Sequence, residues 1–283
     1  MSTLSEPPSE QDVTPPPSFD IATAHPARVY DYLLGGKDNF TADRIAAEEI
    51  IETSPVVFEC VRANRAFLSR AVGYLAGEAG IGQFLDIGTG LPTAENTHQV
   101  AQRVRPGSRV VYVDNDPIVL AHARALLTST PQGACAYIDA DARDTAAVLD
   151  RAAQTLDFGA PVAVMVLCTM QYVADTDRPH DIIARLMAAV PSGSYLAMSD
   201  TTRDIDTTSM VAGAARYNAR LGPTTFTPRT RAEYERFFAG LDLVEPGLVP
   251  GPEWRAVPDA HDAPDSAPDP GRAGFYGAVG RKI

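Results

Sequence analysis

The segment at residues 84–93, FLDIGTGLPT, constrains the fold of this chain more than any other. Its apolar first half predicts a buried strand that carries an acid, Asp86, and leads into a turn with Gly88 and Gly90. Pro92 is favoured in the first turn of a helix, so a helix is predicted to start there. This order of strand, glycine turn and helix is typical of a ligand-binding corner of a parallel sheet. An ordinary structural corner has the same pattern, so the segment alone does not establish a function.

A second apolar strand at residues 109–113 ends in another acid, Asp114. Asp116 and Pro117 follow, and these residue types favour an N-cap and the first position of a helix. An acid at the end of the second strand can accept hydrogen bonds from the hydroxyls of a ribose. The two strands together predict a site for a nucleoside cofactor, because the glycine turn lets a ligand approach the backbone closely.

Two residues favour S-adenosylmethionine over a dinucleotide as that cofactor. Thr93 stands where the dinucleotide fingerprint has its third glycine, which permits close packing of helix on strand beneath a pyrophosphate. Asp86 would repel a phosphate but attract an ammonium group. S-adenosylmethionine carries an ammonium, a sulfonium, a ribose and an adenine, and it has no phosphate. The turn therefore fits S-adenosylmethionine better than NAD, the cofactor that an oxidoreductase would use.

Composition limits the partners and the compartment. The chain has 283 residues and a formal net charge of −12, which argues against nucleic acid or an anionic membrane as a partner. The N-terminus has no signal-peptide pattern, and no apolar run is long enough to span a bilayer. Cys60, Cys135 and Cys168 have neither disulfide nor metal-site spacing. We predict a cytoplasmic protein with no metal site, and the sequence does not specify its oligomeric state.

The chain divides into three predicted parts. Residues 1–20 are rich in proline and serine and are predicted to be a disordered tail. Residues 21–80 are predicted to form a helical extension, with the motif ARVYDYLLGGKDN at 27–39 and a helical apolar pattern at 56–75. In residues 81–283, strands alternate with helices, which predicts a mostly parallel sheet with helices on both faces.

This alternation gives the predicted strands and helices of residues 81–283. The last two strands are joined by a proline-rich excursion, a connecting segment at 250–272, which favours an antiparallel pair at one edge of the sheet. The predicted strands are 83–87, 109–113, 135–138, 162–168, 194–198, 241–249 and 274–280, and the predicted helices lie near 93–104, 117–128, 143–153, 179–190 and 230–239.

The loops after the third and fourth predicted strands carry further candidate residues. Asp141 could accept a hydrogen bond from the adenine amine, with Ala142 beside the ring; alternatively, Asp141 or, preferably, Asp144 caps the next helix. Cys168 and Tyr172 come after the fourth strand, where the methyl group and its acceptor would meet, and Gln171 lies between them. Packing and turn formation are the alternative for this loop, and with no histidine close in sequence the Cys168 thiol is expected to be inert.

The motif at 27–39 crowds charged and polar residues around two glycines. We predict that it forms a lid over the methionine end of the cofactor, with Arg28 or Lys37 pairing with the cofactor carboxylate. Tyr30 would exclude water from the methyl group, and Gly35 and Gly36 would permit the reversal of the chain. The alternative is that these residues only pin the segment to the domain through internal salt bridges.

Two stretches carry a family likeness: residues 25–44 (HPARVYDYLLGGKDNFTADR) and residues 64–117. They resemble an actinobacterial family of S-adenosylmethionine-dependent methyltransferases once described only as a domain of unknown function. The resemblance covers nearly all of the chain after the proline-rich tail. It implies a class I methyltransferase fold: an α/β, Rossmann-like, seven-stranded, mostly parallel sheet with an antiparallel edge strand, plus an N-terminal helical extension.

The resemblance also implies cofactor contacts at matching positions. These are Asp86, Gly88 and Gly90 at the methionine end, Asp114 at the ribose, and Asn115, Asp141 and Ala142 at the adenine. Two positions depart from what we expect of relatives, which often have a histidine where Gln171 stands and a Ser-His pair where this chain has Ser199-Asp200. A histidine base is therefore not expected at either place.

These observations predict an S-adenosylmethionine-dependent methyltransferase that acts on a small molecule. If the acceptor must lose a proton, Tyr30, Tyr172 and Asp200 are the candidate bases, and a structural hydrogen-bonding role is the alternative for each. Because fold does not determine function, a non-catalytic regulatory protein that binds S-adenosylmethionine or S-adenosylhomocysteine is the alternative function.

Overall fold

One mixed sheet of eight strands organises the computed structural model, which describes residues 20–126, 128–205, 207–256 and 274–283. The strands are β1 (Gln83–Ile87), β2 (Arg109–Asp114), β3 (Ala134–Asp139), β4 (Ala163–Leu167), β5 (Tyr195–Thr201), β6 (Leu241–Leu243), β7 (Val249–Pro250) and β8 (Phe275–Lys282). Their order is β3-β2-β1-β4-β5-β8-β6, and β7 pairs with β8. The predicted tail up to residue 19 and most of the predicted excursion lie outside the described residues.

The predicted class I sheet is confirmed, with two differences at its antiparallel end. Strands β1 to β5 are parallel, and β8 is antiparallel to both β5 and β6. The reversed strand therefore lies one position inside the edge. The single strand predicted at 241–249 is instead divided into β6 and β7, because Gly247 donates its N–H to the Val244 carbonyl in a turn and Pro246 has no N–H to donate.

The described helices mostly match the predicted ones. They are α1 (Pro26–Leu33), α2 (Thr41–Thr53), α3 (Val57–Gly77), α4 (Thr97–Val104), α5 (Pro117–Leu126), α6 (Thr145–Ala152), α7 (Pro179–Ala188), α8 (Thr207–Asn218) and α9 (Arg231–Glu235). The predicted start at Pro92 is wrong: α4 begins at Thr97, after Asn96, whose backbone N–H donates to the Gln99 side chain at 2.9 Å.

The two caps predicted from sequence are present. Asp116 accepts the N–H of Ile118 at 2.8 Å at the start of α5. Asp144 accepts the N–H of Ala147 at 3.1 Å and is the N-cap of α6. The carboxylates satisfy amides that have no partner within their helices, which fixes where each helix leaves the sheet.

Helices cover both faces of the sheet. On one face, Phe67 and Leu75 of α3 pack with Phe84 of β1. On the other face, Leu85 of β1 packs in a second core with residues of α6 and α7 such as Ile182. Because α3 is buried against the sheet, only α1 and α2 of the predicted 21–80 extension lie outside the sheet layers.

A third apolar cluster joins α1 and α2 to α8, and these three helices are here called the helical cap. Val29 and Leu33 of α1 pack with Ala46 and Ala47 of α2 and with Tyr217 of α8. Residues of α1 line the same cavity as residues that follow β1, β2 and β4. The cap therefore lies over the carboxyl ends of the central parallel strands, where doubly wound sheets bind ligands.

Candidate functional site

A cavity of about 280 Å³, here called the cofactor cleft, lies over the carboxyl ends of β1, β2, β3 and β4. The strand order changes direction between β1 and β4, so the cleft lies at the switch point of the sheet. Nine of the predicted cofactor-binding residues line it: Tyr30, Asp86, Gly88, Gly90, Asp114, Asn115, Asp141, Ala142 and Cys168. The structure therefore brings together residues from five separate segments of the chain.

Asp114 is held at the centre of the cleft by two backbone amides. One carboxylate oxygen accepts the N–H of Gly90 at 2.8 Å, and the other accepts the N–H of Asp116 at 2.9 Å. Burial raises the pKa of Asp114, and the charge of Asp116 raises it further. Each carboxylate oxygen has a second lone pair, so the group can still accept hydrogen bonds from a ribose diol.

The two glycines of the turn have different reasons to be glycine. Both have positive φ, 70° at Gly88 and 68° at Gly90. A Cβ at position 88 would lie 2.3 Å from the Thr169 hydroxyl oxygen, so packing within the protein excludes a side chain there. A Cβ at position 90 would meet no heavy atom within 4 Å and would point into open space. Gly90 is thus the glycine beside which a ligand has room.

Opposite charges lie at the α3 side of the cleft. Asp86 is buried and accepts a hydrogen bond from the Thr97 hydroxyl at 2.6 Å. Burial raises the pKa of Asp86 to about 6, which the Thr97 hydrogen bond and the charge of Arg65 oppose. Arg65 also lines the cleft, so a carboxylate and a guanidinium are both available to the zwitterionic end of an amino acid.

Arg65 is the main residue that sequence reasoning missed. One of its terminal nitrogens donates to the carbonyls of Ala94 and Glu95, both at 3.0 Å. Its Nε is buried and has no hydrogen-bond partner among the described residues. A buried guanidinium nitrogen without a partner is costly, and a ligand carboxylate would satisfy it. The only sequence signal was its place at the start of the second stretch that carries the family likeness.

The structure does not place Arg28 in the cleft. Its two terminal nitrogens donate to the carbonyls of Asp20 and Thr23, both at 3.0 Å, and its Nε lies 3.4 Å from a carboxylate oxygen of Asp43. The side chain is buried by these contacts. The predicted pairing of Arg28 with the cofactor carboxylate is therefore corrected, and the residue holds the chain that enters α1.

Lys37 is likewise outside the cleft and exposed, because the glycine turn closes on Asp31. The Asp31 carboxylate accepts the N–H of Asp38 and the side-chain amide of Asn39, both at 2.9 Å. A Cβ at Gly36 would lie 2.0 Å from the same carboxylate. Much of the motif therefore makes contacts that hold the segment to the domain, as in the alternative prediction. Tyr30 and Asp31 of α1 nevertheless line the cleft.

The opposite end of the cleft carries Asn115, Asp141 and Ala142. Asp141 accepts the backbone N–H of Arg143 at 2.8 Å and its Nε at 2.9 Å, and these hydrogen bonds lower the pKa of Asp141. Asp144, rather than Asp141, caps α6. Asp141 therefore stays ionised at the rim of the cleft. Its second oxygen accepts from Arg143 Nη2 at 2.6 Å and has a further lone pair for an adenine amine.

Four residues form one side of the cleft and are here called the polar wall: Tyr30, Asn64, Cys168 and Tyr172. Tyr30 donates its hydroxyl to the Val61 carbonyl at 3.0 Å and accepts from the Asn64 amide at 3.0 Å. Burial raises the pKa of the two tyrosines and of the Cys168 thiol. The wall is therefore uncharged at neutral pH, and burial disfavours the predicted role of either tyrosine as a base.

Asp200, the remaining candidate base, does not line the cleft. Side chains alternate along β5: the Ser199 hydroxyl donates to Asn64 at 2.6 Å, on the α3 side of the sheet. Asp200 points to the other face, where it is buried, and burial raises its pKa to about 7. The candidate role of Asp200 as a base at the cleft is corrected. The Gln171 side chain has a structural role, since its oxygen accepts the N–H of Thr201 at 2.8 Å.

Comparison with known proteins identifies the family. The sequence profile of the S-adenosyl methyltransferases matches residues 12–283. This chain belongs to the S-adenosyl methyltransferase family. The predicted family, enzyme class and cofactor, S-adenosylmethionine, are thereby confirmed. A search of the curated proteins gave no match.

Solved structures agree with this assignment. A DUF574 family protein from Streptomyces avermitilis is 45% identical, with a TM-score of 0.87 over 93% of this chain and 99% of that one. A candidate methyltransferase from Thermobifida fusca is 42% identical, with a TM-score of 0.83 over 95% of this chain and 99% of that one. The plantazolicin methyltransferase, at 11% identity and a TM-score of 0.53 over 91% and 96% of the two chains, shares the fold. None of the described helices is both long and apolar enough to cross a bilayer.

Replacing Arg65 with Gln should weaken binding of S-adenosylhomocysteine by about 1–3 kcal/mol, because a charge-assisted hydrogen bond to the ligand carboxylate is lost. Lys37→Gln is the matched control: it removes the same charge from an exposed position outside the cleft. Calorimetric titration of both variants measures the effect. Equal affinities for the two variants would contradict the role assigned to Arg65.

Binding of S-adenosylhomocysteine should weaken as the pH falls through 6, because Asp86, whose pKa burial raises to about 6, must be charged to hold the ligand ammonium. Below that pH the affinity should fall by up to about tenfold per pH unit, while above about pH 7 it should be constant. Asp86→Asn should bind weakly and should lose the part of the pH dependence that Asp86 contributes, while Asp114, whose pKa is also raised, keeps its own part. Titrations at several pH values test this, and an equal slope in the variant would assign the titration to another group.

Proposed function

We propose that this S-adenosyl methyltransferase transfers a methyl group to a small-molecule acceptor in the cytoplasm. The observation that carries the proposal is the match between the charges of the cleft and the parts of the cofactor. Asp86 and Arg65 are opposite charges at one end, Asp114 is an acceptor in the middle, and Asp141 is an acceptor at the other end. The groups they suit are an amino-acid zwitterion, a ribose and an adenine, in the order in which S-adenosylmethionine carries them.

The residues present fit the cofactor in two further respects. Gly90 leaves open space above the turn, and the Arg65 Nε is a buried donor with no protein partner among the described residues. The bound cofactor supplies a methyl group on a positively charged sulfur. The chain positions that group and excludes water from it, and these two effects supply much of the rate of a displacement that needs no covalent help from the protein.

The helical cap supports an acceptor of small size. Helix α1 places Tyr30 directly at the cleft, and Tyr217 of α8 and Ala47 of α2 pack in the same cluster above it. A macromolecular acceptor would have to displace this buried cluster to reach the polar wall. The formal net charge of −12 adds an argument against nucleic acid.

Cysteine usage supports the cytoplasmic location. Cys135 and Cys168 form no disulfide bond. Cysteines without disulfide bonds are usual in reducing compartments.

A non-catalytic protein that binds S-adenosylmethionine or its demethylated product is the second candidate function. The uncharged polar wall favours it, because Tyr30, Cys168 and Tyr172 all have pKa values that burial raises. Methyl transfer to a group that must first lose a proton would find no base among them. Cofactor turnover over a panel of acceptors separates the two functions, since a regulator would bind the cofactor without consuming it.

Asp114→Ala should weaken binding of S-adenosylhomocysteine by about 1–3 kcal/mol, because the ribose hydroxyls lose a charged acceptor. Asp139→Ala is the matched control: Asp139 ends the neighbouring strand in register with Asp114, is exposed, and lies outside the cleft. Calorimetry measures the affinities, and circular dichroism confirms that both variants are folded. An unchanged affinity in folded Asp114→Ala would rule out the ribose site and, with it, the placement of the cofactor.

A further inference from the structure

A second cavity, of about 150 Å³, adjoins the cofactor cleft at the polar wall. All four residues of the wall line both cavities. The rest of its lining comes largely from the helical cap and the start of α3, and includes Leu33 of α1, Ile50 of α2, Val57 of α3 and Ala214 of α8. The wall is thus the place where a molecule in the second cavity would face a molecule in the cofactor cleft.

The size and the lining of this cavity restrict its occupant. An apolar cavity of about 150 Å³ in another protein takes up benzene. Here the described lining contains no aspartate, glutamate, histidine, lysine or arginine, and aliphatic and aromatic side chains predominate. Phe226 lies between two tyrosine rings, with centroids 5.7 Å from Tyr172 and 5.6 Å from Tyr217. An uncharged molecule of about one ring fits these conditions.

The protonation of the lining restricts the reacting atom. Burial raises the pKa of Cys60 to about 12 and raises those of Tyr172 and Tyr217 as well. The described lining therefore offers no base at neutral pH to an alcohol or a phenol. A phenolate or thiolate would have to enter the apolar cavity as an anion, and its desolvation is costly. A neutral nitrogen with a free lone pair needs neither a base nor a charge.

We propose that the second cavity is the acceptor site, and that its acceptor is an aromatic amine or nitrogen heterocycle of about one ring, methylated on nitrogen. This inference rests on the proposed function. The nitrogen lone pair forms the new C–N bond while the methyl–sulfur bond breaks, and the electrons of that bond go to sulfur. Positive charge passes from sulfur to nitrogen, and a primary or secondary amine then loses its proton to water.

The aromatic side chains of the cavity suit a positive charge that moves toward the acceptor. Tyr30 and Tyr172 belong to the wall itself, and Tyr217 and Phe226 lie behind it. The faces of such rings attract cations, and the attraction is stronger where water is excluded. The total charge does not change during the transfer. An apolar cavity that holds the neutral acceptor can therefore also hold it while the methyl group moves from sulfur to nitrogen.

The acceptor panel has matched members: aniline and pyridine as one-ring nitrogen acceptors, phenol and benzyl alcohol as one-ring oxygen acceptors, and 2-naphthylamine as a nitrogen acceptor with two rings. The wild-type chain is first titrated with S-adenosylhomocysteine. Release of S-adenosylhomocysteine from S-adenosylmethionine is then followed with each acceptor, and mass spectrometry identifies the methylated atom. We expect at least one of the two one-ring nitrogen acceptors to react at least about tenfold faster than the oxygen acceptors and 2-naphthylamine.

Ala214→Phe, which fills the second cavity from α8, tests the place of binding, and Ala215→Phe, on the exposed face of the same helix, is the control. Val57→Phe fills the cavity from α3 should the first variant fold poorly. Both filling variants should keep S-adenosylhomocysteine affinity within about twofold and lose at least about tenfold in amine turnover. Calorimetry should detect binding of aniline to the control variant saturated with S-adenosylhomocysteine. It should detect no such binding to either filling variant.

The outcomes distinguish a failure of the proposed function from a failure of the acceptor assignment. Failure of the wild-type chain to bind S-adenosylhomocysteine would overturn the proposed function itself. Three results, each with tight S-adenosylhomocysteine binding, would overturn the acceptor assignment and leave the cofactor site standing. They are methylation on oxygen, no reaction of either one-ring nitrogen acceptor, and turnover of that acceptor that is unchanged in folded Ala214→Phe and Val57→Phe.

Discussion

A chain of three hydrogen bonds, one buried and two partly buried, ties the helical cap to the sheet. Tyr30 of α1 donates to the Val61 carbonyl of α3, Asn64 of α3 donates to the Tyr30 hydroxyl, and Ser199 of β5 donates to the Asn64 side-chain oxygen. The bond between Ser199 and Asn64 is buried, so the loss of either partner would leave a buried polar group unsatisfied. The same bonds fix Tyr30 and Asn64, two of the four residues at which the cofactor cleft and the second cavity meet.

The ligand-binding groups of the cleft also hold the protein together. Asp114 fixes the glycine turn through Gly90 and the start of α5 through Asp116. Asp31 closes the turn that contains Gly36, while it lines the cleft. Binding groups positioned in this way need little rearrangement when a ligand arrives, so less of the binding energy is spent on ordering them.

The sequence was informative where a site depends on local pattern. The acids at the strand ends and the glycine turn lie within one strand–turn–helix unit each, and Asp86, Gly90 and Asp114 do line the cleft. The sequence was uninformative where tertiary packing determines which residues reach a site. Arg65 reaches the cleft because α3 is buried on the sheet, and the second cavity exists only where helices distant in sequence meet. Asp200 was misplaced because side chains alternate along a strand, and a shift of one residue reverses the face.

The measurement that tests the arrangement most directly is a crystal structure of the chain grown with S-adenosylhomocysteine. We expect the ribose hydroxyls within hydrogen-bond distance of Asp114, the ligand carboxylate at Arg65, and the sulfur atom facing the polar wall formed by Tyr30, Asn64, Cys168 and Tyr172. A ligand whose sulfur faces away from that wall, or whose carboxylate does not reach Arg65, would contradict both the orientation of the cofactor and the role of the second cavity.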